Sequence, residues 1–299
     1  MIPSMQTDNA HPSGARRCAF PCGTLFPFVD RYWSWEGPRS RIPALPELLP
    51  GTGKELIFHY ADPFLVRGQS GGTRHTPQAH ILCVRRNIVK LAPGGETGFF
   101  AIRFRAGAFR HFSPVPLAEI AALQDPLPDA SLFLGKDARE LRSAMSGSSS
   151  FSQRVVLAET WLLRRLRKRS QRDAAIDKAS SLLYYAPDHA RPSRVAAAIG
   201  LGPRQFQREF KAAMNMSPKA FLRLVRLQRV IRSILLANGS NILDAAIAEG
   251  YYDQPHFIRE FKEFTNETPA AFFHNGRGLT HFYNTSRPEN RMLVCANTA

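Results

Sequence analysis

The sequence predicts an α+β chain: a β-rich, barrel-like N-terminal domain with helices, followed by an all-α C-terminal domain of two helix-turn-helix motifs joined by a linker helix. Three observations carry the prediction. Short apolar runs rich in β-branched and aromatic residues, punctuated by Gly and Pro, fill residues 54–105. Helical spacing with no strand pattern fills 174–275. Within that helical stretch one segment recurs at an offset of 51 residues. A chain of 299 residues, 44% hydrophobic and 21% charged, is long enough and apolar enough to build both cores.

Residues 1–18 are polar and aperiodic, so a flexible N-terminus is expected there, and the same expectation holds for the tail, 276–299. The first domain is placed at 19–170. Its strand candidates are Glu55–Tyr60, Phe64–Val66, His80–Val84, Ile88–Leu91 and Phe99–Phe104, separated by Asp62-Pro63, Gly68, Gly71-Gly72 and Pro93-Gly94-Gly95. This is the rhythm of a small antiparallel barrel or sandwich. Phe28, Tyr32, Trp33 and Trp35 read first as its aromatic core and second as the lining of an apolar pocket. From about residue 116 the period turns helical, with Gly135–Met145 as one helix and Phe151–Arg169 as a stronger one, striped by Val155, Leu162 and Leu166. Arg164, Arg165, Arg167, Lys168, Arg169 and Arg172 then mark the domain boundary, as cations suited either to a helix C-terminus or to an anionic partner.

The repeat lies in the second domain, 174–275. Phe206-Gln207-Arg208-Glu209-Phe210-Lys211 recurs as Phe257-Ile258-Arg259-Glu260-Phe261-Lys262, and Ser217-Pro218-Lys219-Ala220-Phe221 recurs as Thr268-Pro269-Ala270-Ala271-Phe272, both at an offset of 51. Upstream, Ala196-x3-Gly200 matches Ala246-x3-Gly250 at an offset of 50, so the second copy's turn is one residue longer. Each copy is a short helix ending at Gly, a turn and a second helix; motif 1 occupies about 193–213 and motif 2 about 241–263. The alanine four residues before the turn glycine lets the helices cross closely, and the glycine supplies a positive φ to stop the first helix. Gly202 and Asp253 serve as N-caps of the second helices. Phe206/Phe210 and Phe257/Phe261, at i and i+4, anchor the core face. Arg204, Gln207, Arg208 and Lys211 project from the other side of the first copy, and Gln254, His256, Arg259 and Lys262 from that of the second. Matched cations outside and matched phenylalanines inside point to double-stranded DNA.

The linker helix, 218–236, starts at Ser217-Pro218 and stops at Asn238-Gly239, with Lys219, Arg223 and Arg226 opposite its apolar face and Lys219 and Arg223 expected to bind the DNA backbone. Its length of roughly 28 Å approaches the spacing of about 34 Å between successive major-groove segments on one side of B-DNA, so one chain spans two turns of duplex. The charge fits: 40 Lys+Arg against 24 Asp+Glu leave +16, a field that favours polyanions. It is unevenly placed. Residues 191–232 hold ten Lys+Arg and one acid, whereas 233–276 hold two Lys+Arg and six acids.

Other chemistries leave weaker traces. Four cysteines are too few for a disulfide scaffold, and the C-x3-C of Cys18 and Cys22 has no second pair at metal-ligand spacing. His59, His75 and His80 show no spacing that gathers them on one face, and are expected to be satisfied or on the surface. No phosphate loop, carboxylate pair or catalytic triad stands out. No window has the ~18 uninterrupted apolar residues of a membrane helix, and the N-terminus lacks a signal-peptide pattern, so a cytoplasmic protein without a membrane partner is expected.

Residues from about 176 to 275 resemble the two-motif DNA-binding domain of the AraC/XylS family of bacterial transcription regulators. Both repeats, the linker helix, the Gly250-Tyr251-x-Asp253-Gln254-x-His256-Phe257 segment and Thr268-Pro269 stand in register with it. By that resemblance the base-reading positions fall on Arg204, Gln207 and Arg208 in the first motif, and on Gln254, Ile258 and Arg259 in the second, with His256 nearby. Pro255 replaces a usually polar residue and Ile258 cannot hydrogen-bond, which weakens base readout by motif 2. The first domain is similar to the β-rich N-terminal half of one AraC subgroup through Leu49-Pro50-x3-Lys54-Glu55-Leu56-Ile57-Phe58 and Ile102-Arg103-Phe104-Arg105-x-Gly107. The resemblance implies a sequence-specific transcription regulator, not an enzyme: a sensor and dimerisation domain, a homodimer, RNA polymerase as partner, a small-molecule effector, no cofactor and no metal. Activation or repression is left open. The alternatives are a DNA-repair methyltransferase carrying the same module, with Cys18 and Cys22 as its thiols, and a metal-dependent barrel enzyme.

Overall fold

Strands β1 (Gln6–Thr7), β2 (Ala15–Ala19), β3 (Val29–Gly37), β4 (Lys54–His59), β5 (Leu65–Arg67), β6 (Thr73–His75), β7 (Ala79–Leu82), β8 (Leu91–Ala92) and β9 (Thr97–Phe104) build the first half of the computed structural model. It describes residues 6–7, 15–42, 44–45, 47–67, 72–82, 88–123, 125–166, 171–185, 190–236 and 241–274. The strands form two antiparallel sheets, ordered β1-β2-β3-β9-β4-β7 and β6-β5-β8. They do not close into a barrel. β3, β9 and β4 lie at the centre, with Trp33 opposite Ala101 and Ala101 opposite Ile57.

The large sheet is covered on both faces, which explains why its central strands are buried at nearly every position instead of alternating between buried and exposed. Tyr32, Leu56, Phe58, Phe100, Ile102 and Phe104 meet helices on one face. These are α1 (Leu117–Ala122), α2 (Ser131–Leu134), α3 (Lys136–Ser146) and α4 (Phe151–Arg165), which contribute Ile120, Phe133, Leu141, Val155 and Leu162. Trp33, Trp35, Ile57 and Phe99, one residue out of phase, meet Phe64, Val66 and Leu91 from the small sheet's side.

The N-terminal expectation is corrected in part. Gln6–Thr7 and Ala15–Cys18 are strand, with Cys18 opposite Trp33 on β3. The polar Arg16-Arg17 pair masks this, because an edge strand is held by backbone hydrogen bonds that are blind to side-chain polarity. The central strand β3 is also absent from the sequence reading, since Asp30, Arg31 and Glu36 break its apolar run. Asp30 and Arg31 are nevertheless buried and form an ion pair at 3.3 Å. Arg103 donates to Glu55 Oε1 at 2.6 Å, and its Nε lies 3.9 Å from Asp30. Arg167, Lys168 and Arg169 of the cation run, and the tail from 276, lie outside the described residues.

The second half is helical: α5 (Gln171–Tyr185), α6 (Pro192–Ala198), α7 (Pro203–Met214), α8 (Pro218–Leu236), α9 (Ile242–Ala248), α10 (Gln254–Thr265) and α11 (Pro269–His274). One core joins them through Ile176, Leu183, Phe210, Leu224, Leu227, Phe261 and Phe272. The two halves touch along a seam. Leu49 enters the helical core, Thr52 Oγ1 donates to Gln228 Oε1 at 3.4 Å, Arg105 donates to the Tyr185 hydroxyl, and Arg110 pairs with Asp177 at 2.5 Å. At Gly107 the backbone takes φ 75°, and a Cβ there would lie 2.2 Å from Met214 Sδ at the end of α7. The positive φ favours glycine there, and a side chain would have to displace the tip of Met214.

His59 on β4 and His80 on β7 are diagonal neighbours across strands, a proximity invisible to spacing along one chain segment, while His75 is exposed. The two rings stack with centroids 5.2 Å apart, flanked by Phe64 and Phe99. His80 Nδ1 lies 2.9 Å from the Pro77 carbonyl oxygen, whereas neither nitrogen of the buried His59 meets a hydrogen-bond partner among the described residues. His59 is thus neither satisfied nor on the surface. Burial lowers the His80 pKa to about 4 and holds His59 well below the ordinary 6.5. Below pH 6.5 an unfolded chain takes up protons that the folded one refuses, so stability is lost as the pH falls toward 4. The expected loss is on the order of 3 kcal/mol for His80 alone. Urea unfolding between pH 7 and pH 4 checks this, and His80→Phe is expected to flatten the profile.

Candidate nucleic-acid interface

The two repeats coincide in geometry. α6 stops at Gly200 (φ 72°) and α9 at Gly250 (φ 88°). Ala196 and Ala246 are fully buried at the crossings. The same backbone bond closes both turns: Leu201 N–H donates to Ala196 O at 3.0 Å, and Tyr251 N–H to Ala246 O at 3.1 Å. Asp253 caps α10 by accepting from His256 N–H at 2.7 Å, while Gly202 caps α7 without a side chain. Both second helices end on a left-handed asparagine, Asn215 and Asn266, whose N–H groups donate to Lys211 O and Lys262 O. Phe206 meets Phe210 at 5.4 Å between ring centroids, and Phe257 meets Phe261 at 5.5 Å. These buried pairs turn the opposite faces of α7 and α10 outward.

On α7 that outward face gathers Arg204, Gln207, Arg208 and Lys211, all exposed and spaced to form one stripe. Lys219, at the start of α8, is exposed as well. On α10 the exposed residues are Gln254, Pro255, Arg259, Lys262 and Glu263, the last held by Arg223. His256 is 43% exposed, with Nε2 3.9 Å from Glu260. Ile258 is half-buried and packs against the helical core, so it offers the groove only part of its side chain.

Arg223 is placed differently from Lys219. Its Nε donates to Glu260 Oε2 at 2.7 Å, and its guanidinium also holds Glu263. Glu260 is buried, and its other oxygen accepts from the Tyr251 hydroxyl at 2.8 Å. Burial first, then the Glu260 charge, pushes the Tyr251 phenol up, so it stays a hydrogen-bond donor. Farther along α8, Arg229 pairs with Glu249, and the Arg226 guanidinium lies 3.6 Å from where a Cβ on Gly250 would be. The linker helix therefore uses its arginines to hold motif 2. Sequence reasoning missed this clamp. The signal was present in the opposite charges of adjoining segments, with Arg223, Arg226, Arg229 and Arg232 on one helix and Glu249, Glu260 and Glu263 beyond it.

Among the described residues no group of three or more His, Cys, Asp or Glu is arranged to hold a metal ion, and no helix is long and apolar enough to cross a membrane.

Comparison with known proteins matches two separate stretches of the chain. Residues 195–275 match the model of a helix-turn-helix domain, and residues 18–124 match a domain of unknown function (DUF6597). The HTH-type transcriptional regulator ArgR of Pseudomonas aeruginosa is 28% identical over 97 residues, covering 32% of this chain and 29% of that protein. The regulatory protein HrpB of Ralstonia nicotianae is 38% identical over 79 residues, covering 25% and 16%. The HTH-type transcriptional regulator MtrA of Neisseria gonorrhoeae is 28% identical over 83 residues, covering 28% and 27%. The chain thus spans less than a third of the length of these relatives. Among solved structures, ToxT from Vibrio cholerae overlays 91% of this chain and 98% of its own at 11% identity and a TM-score of 0.43. The repeat geometry and the matched region fall on the same helices, and residues 195–275 form a helix-turn-helix domain.

Proposed function

We propose that this protein is a sequence-specific, double-stranded DNA-binding transcription regulator and not an enzyme, with α7 and α10 entering successive major-groove segments. The observation that carries this reading is the pair of geometrically equivalent motifs whose second helices turn a polar, cationic face to solvent. In α7, Arg204, Gln207 and Arg208 are of the types that pair with base edges, and Lys211 and Lys219 of a type that meets phosphate. Motif 2 contributes Gln254, His256 and Arg259 with Lys262, and Ile258 only as an apolar contact. Selection of duplexes from a random-sequence pool by the full-length chain tests the reading; recovery of no preferred sequence would overturn it.

The reading extends to partners. An outward face on α4, with Val156 60% and Leu163 44% exposed two turns apart, supports a homodimer built by the first domain. A cavity at the seam, lined by Thr52, Arg103, Arg105, Ser180, Tyr184 and Tyr185, supports a small-molecule effector felt by both halves. RNA polymerase follows as a partner of any regulator of this type.

Binding is expected to be unequally divided between the motifs. Six exposed cations, Arg191, Arg194, Arg204, Arg208, Lys211 and Lys219, serve motif 1 and the start of the linker, against Arg259 and Lys262 in motif 2. Arg208→Ala is expected to cost about 1–3 kcal/mol and to relax sequence preference, and Arg259→Ala distinctly less. Lys219→Ala should lower affinity for all sequences alike and reduce the salt slope by about one unit. Arg223→Ala is expected to leave that slope nearly unchanged and instead to destabilise the fold by about 1–3 kcal/mol, because Glu260 loses its buried partner. Salt titrations on the selected duplex and thermal unfolding of each variant provide the checks. For self-association, sedimentation of residues 1–170 is expected to report a dimer and that of 174–275 a monomer; a monomeric N-terminal fragment at high micromolar concentration removes the dimer.

A further inference from the structure

The one residue by which the second turn exceeds the first is Tyr252. The equivalent backbone bonds of Leu201 and Tyr251 fix the alignment of the two turns. Leu201 is then followed directly by the N-cap Gly202, whereas Tyr251 is followed by Tyr252 and only then by the N-cap Asp253. Tyr251 and Leu201 both turn inward against the helical core. Tyr252 does not. It is 88% exposed, the most exposed large hydrophobic side chain among the described residues, and no hydrogen bond, ion pair or ring contact there involves it. A single exposed aromatic needs no explanation in general. An exposed aromatic that is the sole insertion between two otherwise superposable motifs, beside the N-terminus of the helix meant for the groove, does.

The surroundings say what it meets. The N-terminal end of a recognition helix docks at the groove, so the turn before it lies at the sugar-phosphate rim. Helix N-termini ordinarily contribute amide N–H groups to a phosphate there. In α10 this supply is thin, because Pro255 has no N–H and the His256 N–H is already donated to Asp253. Cations are thin as well, since Arg259 and Lys262 face six acids across 233–276. A phenol suits this rim. It offers a donor for a phosphate oxygen and an apolar ring for the sugar, and it adds no charge to a segment in which Glu249, Glu260 and Glu263 are paired with α8 and Asp253 with the His256 N–H.

We infer that Tyr252 is an uncharged DNA-backbone anchor of motif 2: its hydroxyl donates to a phosphate oxygen beside the start of α10, and its ring lies against the adjoining deoxyribose. The inference rests on the DNA-binding function proposed above and deepens it. A neutral contact releases no counterion, so it has a signature that a lysine contact lacks: affinity falls on its removal while the salt dependence stays the same.

The test uses the full-length chain and the duplex it selects from a random-sequence pool. Tyr252→Ala is expected to bind that duplex about tenfold more weakly at every salt concentration, with a parallel salt slope. Tyr252→Phe, which keeps the ring, should fall between the two. Both variants should unfold at the wild-type temperature, since the side chain has no part in the fold. If the wild-type chain selects no duplex, the functional reading fails and takes this inference with it. If the wild-type chain selects one and Tyr252→Ala binds it equally well, only the inference is overturned. A salt slope that falls by about one unit in Tyr252→Ala would also overturn it, because the side chain would then act through a neighbouring cation.

Discussion

The second helix-turn-helix motif is placed by one buried carboxylate. Glu260 sits on the inward side of α10, accepts from the Tyr251 hydroxyl at the turn, and is gripped by Arg223 of the linker helix. Three separate elements are thus tied at one charge: the turn, the recognition helix and the rod that connects the motifs. A buried carboxylate adds little net stability over an apolar contact of the same shape, but it is costly to leave without its partner, so it specifies one arrangement. The Phe257–Phe261 pair supplies non-directional attraction to the core. The Glu260 node supplies the angle at which α10 is held against α8. Any separation between the two DNA-facing surfaces that depends on the linker as a rigid rod depends also on this clamp.

The first domain presents the same logic in another form. Its central strands are buried on both faces, so the few charges they carry must be answered inside the protein. Asp30, Arg31, Glu55 and Arg103 answer one another. That network borders the seam with α5, where Arg105 reaches Tyr185 and Arg110 reaches Asp177. Just past β9, Gly107 lies against the tip of the Met214 side chain at the end of α7, which an added carbon would displace. The seam is therefore polar where it meets α5 and tightly packed where it meets α7. The cavity at the seam lies on the polar side, between the end of β9 and α5, with Arg103, Arg105, Ser180 and Tyr185 in its lining.

The sequence made the helical domain legible and left parts of the sheet obscure, for physical reasons. The repeat declares itself because packing requires the same small and aromatic residues at the same spacing in each copy: Ala196 and Ala246, Phe206 and Phe257, Phe210 and Phe261. The linker helix could be bounded because Pro218 marks its start. β3 could not be seen, since its Asp30 and Arg31 read as loop polarity when their partners lie on strands far away in sequence. The proximity of His59 and His80 escaped for a related reason, being set by the pairing of β4 with β7 and not by any local spacing. In the candidate interface the outward residues of α7 follow from helical periodicity alone. The fate of Arg223 does not, because periodicity tells which way a side chain points along its own helix and not which acid waits there.

This difference alters what the charge pattern means. Ten cations in 191–232 and six acids in 233–276 look like a basic half that binds DNA and an acidic half that does not. In the folded chain, Arg223 pairs with Glu260 and Glu263 and Arg229 with Glu249, so part of the contrast is an internal bond between the halves. The opposition that would repel motif 2 from a polyanion is thereby reduced before DNA is met. The cations that remain free to face a phosphate lie on α7 and its flanks, while α10 is left close to neutral, with Gln254, Arg259 and an exposed tyrosine at its leading edge. On the DNA-binding function proposed above, the electrostatic attraction and most of the base readout fall to the first motif, and the Glu260 node holds the nearly neutral second motif at a fixed angle to the linker helix.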